Sequence, residues 1–197
     1  MKNVRVTIYF IMFILIVSVA NSENPSKKNK IGFEYNYIKS YLTNSNQFGL
    51  NYELFIYDNI SLQYGFRLGL PNGRAAFHCH TGLATALYML YDDNYLKSDA
   101  YYSNNDFYNY AVIFLAMVPE GINIYVPYTD KIKFSPMIMP LGFDYINDKY
   151  SITSSIGMKM EWNFIEELSL NPFVNVTMFY KESKFFFNAG FFLGIKF

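Results

Sequence analysis

Residues 150–164 have the sequence YSITSSIGMKMEWNF, in which large apolar and polar side chains alternate. One face carries Ile152, Ile156, Met158, Met160, Trp162 and Phe164, and the other carries Thr153, Ser155, Gly157, Lys159, Glu161 and Asn163. A period of two residues is typical of a β-strand whose two faces meet different surroundings. This stretch therefore predicts a long strand, and it sets the pattern for the rest of the chain.

The same alternation recurs in both directions from this stretch. It predicts eight strands at 31–40, 47–57, 60–70, about 117–128, 132–145, 150–164, 168–179 and 185–197. Short polar turns at 58–59, 129–131 and 165–167 join neighbours, which indicates antiparallel pairing. Pro136 and Pro140 predict an irregularity in the fifth strand, because proline cannot donate a ladder hydrogen bond.

Composition excludes several classes of protein. Apolar residues make up 52% of the 197 residues, which excludes a disordered chain. One cysteine cannot form a disulfide framework within the chain. Sixteen basic residues balance sixteen acidic ones, so the positive charge that drives nucleic-acid binding is missing. We therefore expect no nucleic-acid partner.

The choice of buried face decides between two remaining classes. In a soluble sandwich or a lipocalin-like barrel the apolar face fills the core. In a membrane barrel the apolar face contacts lipid and the polar face lines the interior. Alternation alone fits both.

The position of the charges favours the membrane barrel. The seven charged residues well inside the strands are Glu34, Glu53, Arg67, Lys133, Lys159, Glu161 and Lys196. All lie on the face rich in Gly, Ser and Asn, whereas a charge facing mid-membrane lipid would cost about 2–4 kcal/mol. Strands of about ten residues suit a tilted bilayer crossing. Short turns at every second connection also fit, and an even strand number lets the last strand close on the first.

An eight-stranded barrel has an interior that side chains can fill. We therefore expect an ion-paired and hydrogen-bonded lumen network. Its members are Glu34, Glu53, Arg67, Lys133, Lys159 and Glu161.

The N-terminus predicts export from the cytoplasm. Lys2 and Arg5 precede an apolar run at 7–20 that ends in Ser-Val-Ala, the pattern of a cleaved signal peptide. The run is shorter than the ~20 residues of a spanning helix. We predict a signal peptide at 1–20, a linker at 21–30 and a barrel domain at 31–197.

The C-terminal sequence FFFNAGFFLGIKF, residues 185–197, resembles the last strand of bacterial outer-membrane β-barrels in its alternation and its terminal Phe197. The resemblance implies a small eight-stranded barrel similar to OmpA or OmpX, covering 31–197. It also implies that Phe197 belongs to the signal that the barrel-assembly machinery reads. The expected location is the outer membrane of a diderm, Gram-negative-type bacterium.

The long connection near 71–118 is expected to be an extracellular loop. It contains both histidines, His78 and His80, which share a strand face and are candidate metal ligands with Asp92 or Asp93. A His paired with Ser98 or Ser103 is the catalytic alternative. Neither spacing enforces a site, so we predict no metal, no cofactor and no catalytic residue.

Two parts of this connection leave alternatives open. Residues 82–91 fit either one helical face or part of a strand. Strands at 75–91 and 107–117 would give a ten-stranded barrel instead of eight. The Tyr-, Asn- and Ser-rich residues 92–110 form either a solvated loop or an adaptable surface for a host or matrix ligand.

The predicted function is that of a non-enzymatic integral outer-membrane barrel with a structural or surface-contact role. Its expected partners are outer-membrane lipid, the barrel-assembly machinery and a host or matrix ligand. The alternatives are a narrow channel or a transport barrel for hydrophobic ligands, a lipid A-modifying enzyme, and a secreted lipocalin-like binder.

Overall fold

The computed structural model describes residues 29–39, 44–71, 74–91, 110, 114–146 and 149–197. The predicted signal peptide and the linker up to residue 28 lie outside these residues. The strands are β1 (Lys30–Lys39), β2 (Asn44–Tyr57), β3 (Ile60–Gly69), β4 (Ala76–His80), β5 (Gly121–Ile124), β6 (Val126–Pro127), β7 (Ile132–Ile146), β8 (Lys149–Asn163), β9 (Leu168–Phe179) and β10 (Lys184–Lys196). An α-helix, α1, spans Thr81–Tyr91, and a 3₁₀ helix spans Tyr180–Glu182.

The strands close into an antiparallel barrel. β1 pairs with β2 on one side and with β10 on the other, and β2 pairs with β3. β7, β8, β9 and β10 pair in sequence order. The remaining gap between β3 and β7 is filled by β4 and β5, which pair with both neighbours. The wall therefore has eight strand positions, and the predicted eight-stranded barrel is confirmed.

The fourth position differs from its predicted form. A single strand was expected near 117–128, but β4 supplies one half of the position and β5 the other. β6 extends it by pairing Val126 with Phe134. The ten-strand alternative is wrong as a count of wall positions, although ten strand segments are present.

The two halves of the fourth position meet at Glu120. Its backbone N–H donates to the Gln63 carbonyl at 2.8 Å, and its carbonyl accepts from the Leu141 N–H at 3.1 Å. The Glu120 carboxylate lies over Gly65, where an added Cβ would be 2.9 Å from Glu120 Oε2. The missing side chain at residue 65 thus makes room for the junction.

The predicted extracellular loop near 71–118 is wrong for part of its length. Ala76–His80 belongs to the wall, and Thr81–Tyr91 is helical, which settles the choice left open for 82–91. Residues 92–109 lie outside the described part, so the expectation of a ligand surface there stays a prediction. No helix in the described ranges is long and apolar enough to cross a membrane.

Helix α1 packs against the outside of the wall. Phe77 is paired with Leu68 and Tyr145, so it shares their outward face, and α1 residues Ala84 and Tyr88 line a groove with it. The start of α1 also contacts the returning chain. A Cβ on Gly82 would lie 1.9 Å from the Leu115 carbonyl oxygen.

The accessibility of the Cys79 thiol depends on this packing. It is the only cysteine, it pairs with outward-facing Phe66, and yet it is 1% exposed, with the Ala84 backbone N–H bonded to its sulfur. In detergent micelles we expect a water-soluble maleimide to label it at least roughly a hundredfold more slowly than the unfolded chain. Gly82→Leu should raise the rate about tenfold, because its side chain would force the start of α1 away from the 114–118 segment and so loosen α1 over Cys79.

Leu87→Ala is the matched control, because Leu87 is on α1 but half exposed. It should leave the labelling rate within about twofold of the native rate. Fast labelling of the native chain, or equal rates for the Gly82 and Leu87 variants, would contradict the packing of α1 over Cys79.

The distribution of side chains is inverted relative to a soluble protein. On β8, Ile152, Ile156 and Met158 are exposed on the outside. Lys159 and Glu161 are 3% and 1% exposed and point into the barrel. The orientation that the alternation and the charge pattern predicted is therefore present.

Candidate functional site in the barrel interior

The two ends of the barrel are distinguished by their connections. The turn end holds the turns at 58–59 and 164–167, and the loop end holds the 3₁₀ helix Tyr180–Glu182. Between them the interior contains two groups of charged residues. The lysine cluster consists of Lys30, Glu53, Tyr125, Lys159, Glu161 and Lys196, and the histidine cluster consists of Glu34, Arg67, His78, Glu120 and Asp144.

Glu53 is the centre of the lysine cluster. Lys159 Nζ donates to its Oε1 at 2.6 Å, and Lys30 Nζ lies 3.4 Å from its Oε2. The Tyr125 hydroxyl and the Ser61 hydroxyl also donate to Oε2. The carboxylate is fully buried, and two cations and two hydroxyls compensate its charge.

Lys30 connects Glu53 to the second carboxylate of the cluster. Its ammonium donates to Glu161 and to Asn171. It also lies 5.0 Å from the centroid of the Tyr125 ring, within range of a cation–π contact. Lys196 donates to the other oxygen of Glu161 at 2.9 Å. Every charge in the lysine cluster therefore has an opposite charge in contact.

The histidine cluster lies nearer the loop end. Arg67 donates to Glu34 at 2.6 Å, and Asn51 donates to the other oxygen of Glu34 at 2.7 Å. His78 Nε2 is 2.8 Å from Glu120, and its Nδ1 is 3.0 Å from Asp144. The imidazole of His78 thus links two buried carboxylates, that of Asp144 on β7 and that of Glu120 at the junction.

The two clusters are balanced in charge when His78 is doubly protonated. An imidazole with a carboxylate at each nitrogen is best satisfied as imidazolium, since only that form has two N–H donors. Five positive groups, from Lys30, Arg67, His78, Lys159 and Lys196, then face five carboxylates, from Glu34, Glu53, Glu120, Asp144 and Glu161. The interior needs no counter-ion from outside.

Polar and apolar side chains fill the remaining interior. Ser155, Thr177, Asn175 and Asn188 form one hydrogen-bonded group between β8 and β10. At the loop end the interior is apolar, with a layer of Ile38, Ala76, Ile146, Phe179 and Phe186. The rings of Phe179 and Phe186 stack at 5.2 Å. The cavity between Arg67 and Lys159 measures only about 10 Å³, about the space of one water molecule.

Five of the six residues predicted for the lumen network lie in these clusters. Glu34, Glu53, Arg67, Lys159 and Glu161 are buried and ion-paired. Lys133 is half-buried and lines an open vestibule of about 530 Å³ at the turn end, beside Lys131 and Lys196. The structure therefore brings the predicted residues into one interior, with Lys133 at its rim.

Several members of the clusters were missed by the sequence reasoning. Lys30 was assigned to the linker at 21–30, but β1 begins with it. Asp144 follows a register shift between Met139 and Gly142, the region where Pro140 predicts an irregularity. Because of that shift, counting every second residue from Ile132 places Asp144 on the outer face, whereas its side chain lies inside. Glu120 is outside any regular strand, so no periodicity marks it.

The two histidines have different structural roles. His78 is part of the histidine cluster, whereas His80 Nδ1 accepts the Leu83 backbone N–H at 3.3 Å and caps the start of α1. The described ranges contain no group of three or more His, Cys, Asp or Glu side chains that could hold a metal ion. The other candidates, Asp92, Asp93, Ser98 and Ser103, lie outside the described residues.

No protein-family model and no curated protein matches the chain. Solved structures of similar shape include Neisserial surface protein A, with a TM-score of 0.48 and 6% identity, covering 87% of this chain and 97% of that one. Ail, the attachment invasion locus protein of Yersinia pestis, has a TM-score of 0.46 and 7% identity at 87% and 97% coverage. The N-terminal β-barrel domain of Pseudomonas aeruginosa OprF has a TM-score of 0.47 and 9% identity at 87% and 99% coverage.

The strand pairing of this chain, and not these similarities, establishes its fold. The pairing closes without a free edge, the charged residues in the middle of the strands lie inside, and most of the large apolar side chains lie outside. The chain is an eight-stranded antiparallel up-and-down β-barrel with the side-chain arrangement of transmembrane barrels.

Proposed function

We propose that this chain is a non-enzymatic integral outer-membrane protein of a diderm bacterium, with a structural or surface-contact role. The inverted side-chain distribution is the observation that carries the proposal. Ile138, Ile156 and Val176 lie side by side on β7, β8 and β9, and they are between 42% and 66% exposed. A belt of this kind is stable in acyl chains and costly in water.

The filled interior supports a structural role over a channel. Paired charges occupy the middle of the barrel, and the apolar layer around Phe179 and Phe186 closes its loop end. Passage of a solute would require breaking several buried ion pairs, each of which is costly to disrupt. The interior charges therefore stabilise the barrel, and contacts with other molecules are made at its outer surface and ends.

The C-terminus fits the proposed assembly route. The Phe197 backbone N–H donates to the Asn29 carbonyl at 2.9 Å, so the last residue lies at the closure between β1 and β10. We infer that the terminal strand is the one recognised by the barrel-assembly machinery, after export directed by residues 1–20. In this orientation the termini and the turn end face the periplasm, and the loop end faces outward.

Single cysteines on opposite ends test location and orientation together. In a Cys79→Ser background, Lys39→Cys is placed at the loop end and Asp130→Cys at the turn end, both at exposed positions. A membrane-impermeant maleimide added to intact cells should label Lys39→Cys at least about tenfold more than Asp130→Cys. Permeabilising the outer membrane should make the two signals equal.

The expected pattern depends on both insertion and orientation. Stronger labelling of Asp130→Cys than of Lys39→Cys would show that the barrel has the opposite orientation in the membrane. Equal labelling in intact cells, or recovery of the protein in the soluble fraction, would refute an outer-membrane location and would favour the secreted lipocalin-like alternative.

A further inference from the structure

Helix α1 and the outer wall enclose a groove that the proposed structural role does not use. The groove has a volume of about 790 Å³ and lies on the outside of β4, β7 and β8. Its lining is almost wholly apolar. One side is formed by α1 through Ala84, Thr85 and Tyr88, and the other by aromatic residues of the wall.

The floor of the groove is a row of stacked rings. Phe77 stacks on Tyr145 at 5.3 Å and on Phe143 at 5.8 Å, and Phe143 stacks on Tyr150 at 6.4 Å. The interplanar angles are between 17° and 26°. Four rings held in this way form a flat apolar surface that a flexible hydrocarbon chain can follow.

A positive charge lies at the loop end of the groove. Lys181 Nζ is 4.1 Å from the centroid of the Tyr150 ring, which holds the ammonium over the end of the aromatic row. The Lys181 backbone N–H is fixed by the Ser151 hydroxyl at 2.8 Å. The groove therefore has an apolar length and a single cationic end.

The length and position of α1 match one leaflet of a bilayer. Its 11 residues are about 16 Å long, close to half of a hydrocarbon core of ~30 Å. Thr81 is bonded to Gly142, which lies four residues before the loop end of β7, and Tyr88 also lines the groove. The groove thus lies beside the loop-end part of β7.

The charge at the loop end points to an anionic ligand. Lys181 is the charged side chain among the residues that line the groove. An ammonium at the end of an apolar groove is complementary to an anionic phosphate headgroup above an acyl chain.

We propose that this groove is a binding site for one membrane phospholipid whose headgroup is net anionic, with an acyl chain along the aromatic row and the phosphate at Lys181. The proposal rests on the outer-membrane location proposed above. It adds that α1 holds a specific lipid against the barrel and does not merely contact the bilayer.

Native mass spectrometry of the full chain in a zwitterionic detergent tests the site. The probes are phosphatidylglycerol and phosphatidylcholine with identical chains. We expect one phosphatidylglycerol per barrel, retained at least about fivefold more strongly than phosphatidylcholine. Lys181→Glu should remove this preference, and Ala84→Phe should reduce binding of both lipids because its ring would fill the groove.

Lys131→Glu is the matched control, because it reverses an exposed lysine at the opposite end. It should bind lipid as the native chain does. Heat-dependent gel mobility checks that every variant is a folded barrel, so a failed lipid site remains distinguishable from a failed barrel. Equal retention by the native chain, Lys181→Glu and Ala84→Phe would overturn the site. Dimers without lipid would assign the groove to a second copy and would also overturn it.

Discussion

Glu53→Leu is expected to lower the free energy of unfolding by about 3–5 kcal/mol. The substitution leaves the ammonium groups of Lys30 and Lys159 and the Tyr125 hydroxyl facing an apolar side chain in a fully buried interior. Removing one partner of a buried ion pair is costly, because the remaining charge has neither its partner nor water. Urea unfolding in lipid vesicles, followed by the fluorescence of Trp162, the only tryptophan, measures the change.

A second substitution separates lost pairing from lost packing. Glu53→Leu combined with Lys159→Met removes one charge of each sign, and Lys30 keeps its contact with Glu161. The double variant should be more stable than Glu53→Leu by at least about 1 kcal/mol. Glu167→Leu, at an exposed turn, should change stability by no more than about 0.5 kcal/mol. Additive losses in the double variant would contradict an interior held by charge pairing.

Ile156→Arg is expected to destabilise the protein in vesicles by about 2–4 kcal/mol. Ile156 is 66% exposed in the middle of β8, so the charge would face the middle of the hydrocarbon core. In a water-soluble protein the same exposed position would accept arginine with little loss. The unfolding free energy in phospholipid vesicles, compared with Ile156→Leu, is the measurement.

The depth of the charge provides the control. Tyr128 lies near the turn end and is 73% exposed, so Tyr128→Arg should cost only about 0–1 kcal/mol at the interface. Equal losses at the two positions would show no dependence on membrane depth. No loss at Ile156 would contradict the membrane location of the barrel face.

The wall was largely predictable from the sequence because each strand meets two different media. β8, β9 and β10 keep strict alternation and differ from the predicted bounds by at most one residue at each end. Alternation loses its phase in β7, where the register shift before Gly142 moves Asp144 into the interior. A pattern of period two does not show where an extra residue is inserted into a strand, as β7 has between Met139 and Gly142.

The partners within the interior could not be predicted from the same pattern. Alternation places Glu53 and Lys159 inside, but their contact spans 106 residues and depends on how the closed wall is staggered. The split of the fourth position was missed for a related reason. The predicted strand near 117–128 covers β5 and β6, but β4 is too short to give a periodic signal, and α1 lies between it and β5.

The split fourth strand has a consequence for the order of folding. Most neighbouring strands are joined by hairpins, whereas His80 and Glu120 become adjacent only after the chain between them has formed a large loop. The entropy of closing such a loop exceeds that of a four-residue turn by about 2 kcal/mol. This seam should therefore form late during assembly and open early when the protein is stressed, making the fourth strand the weak point of an otherwise continuous cylinder.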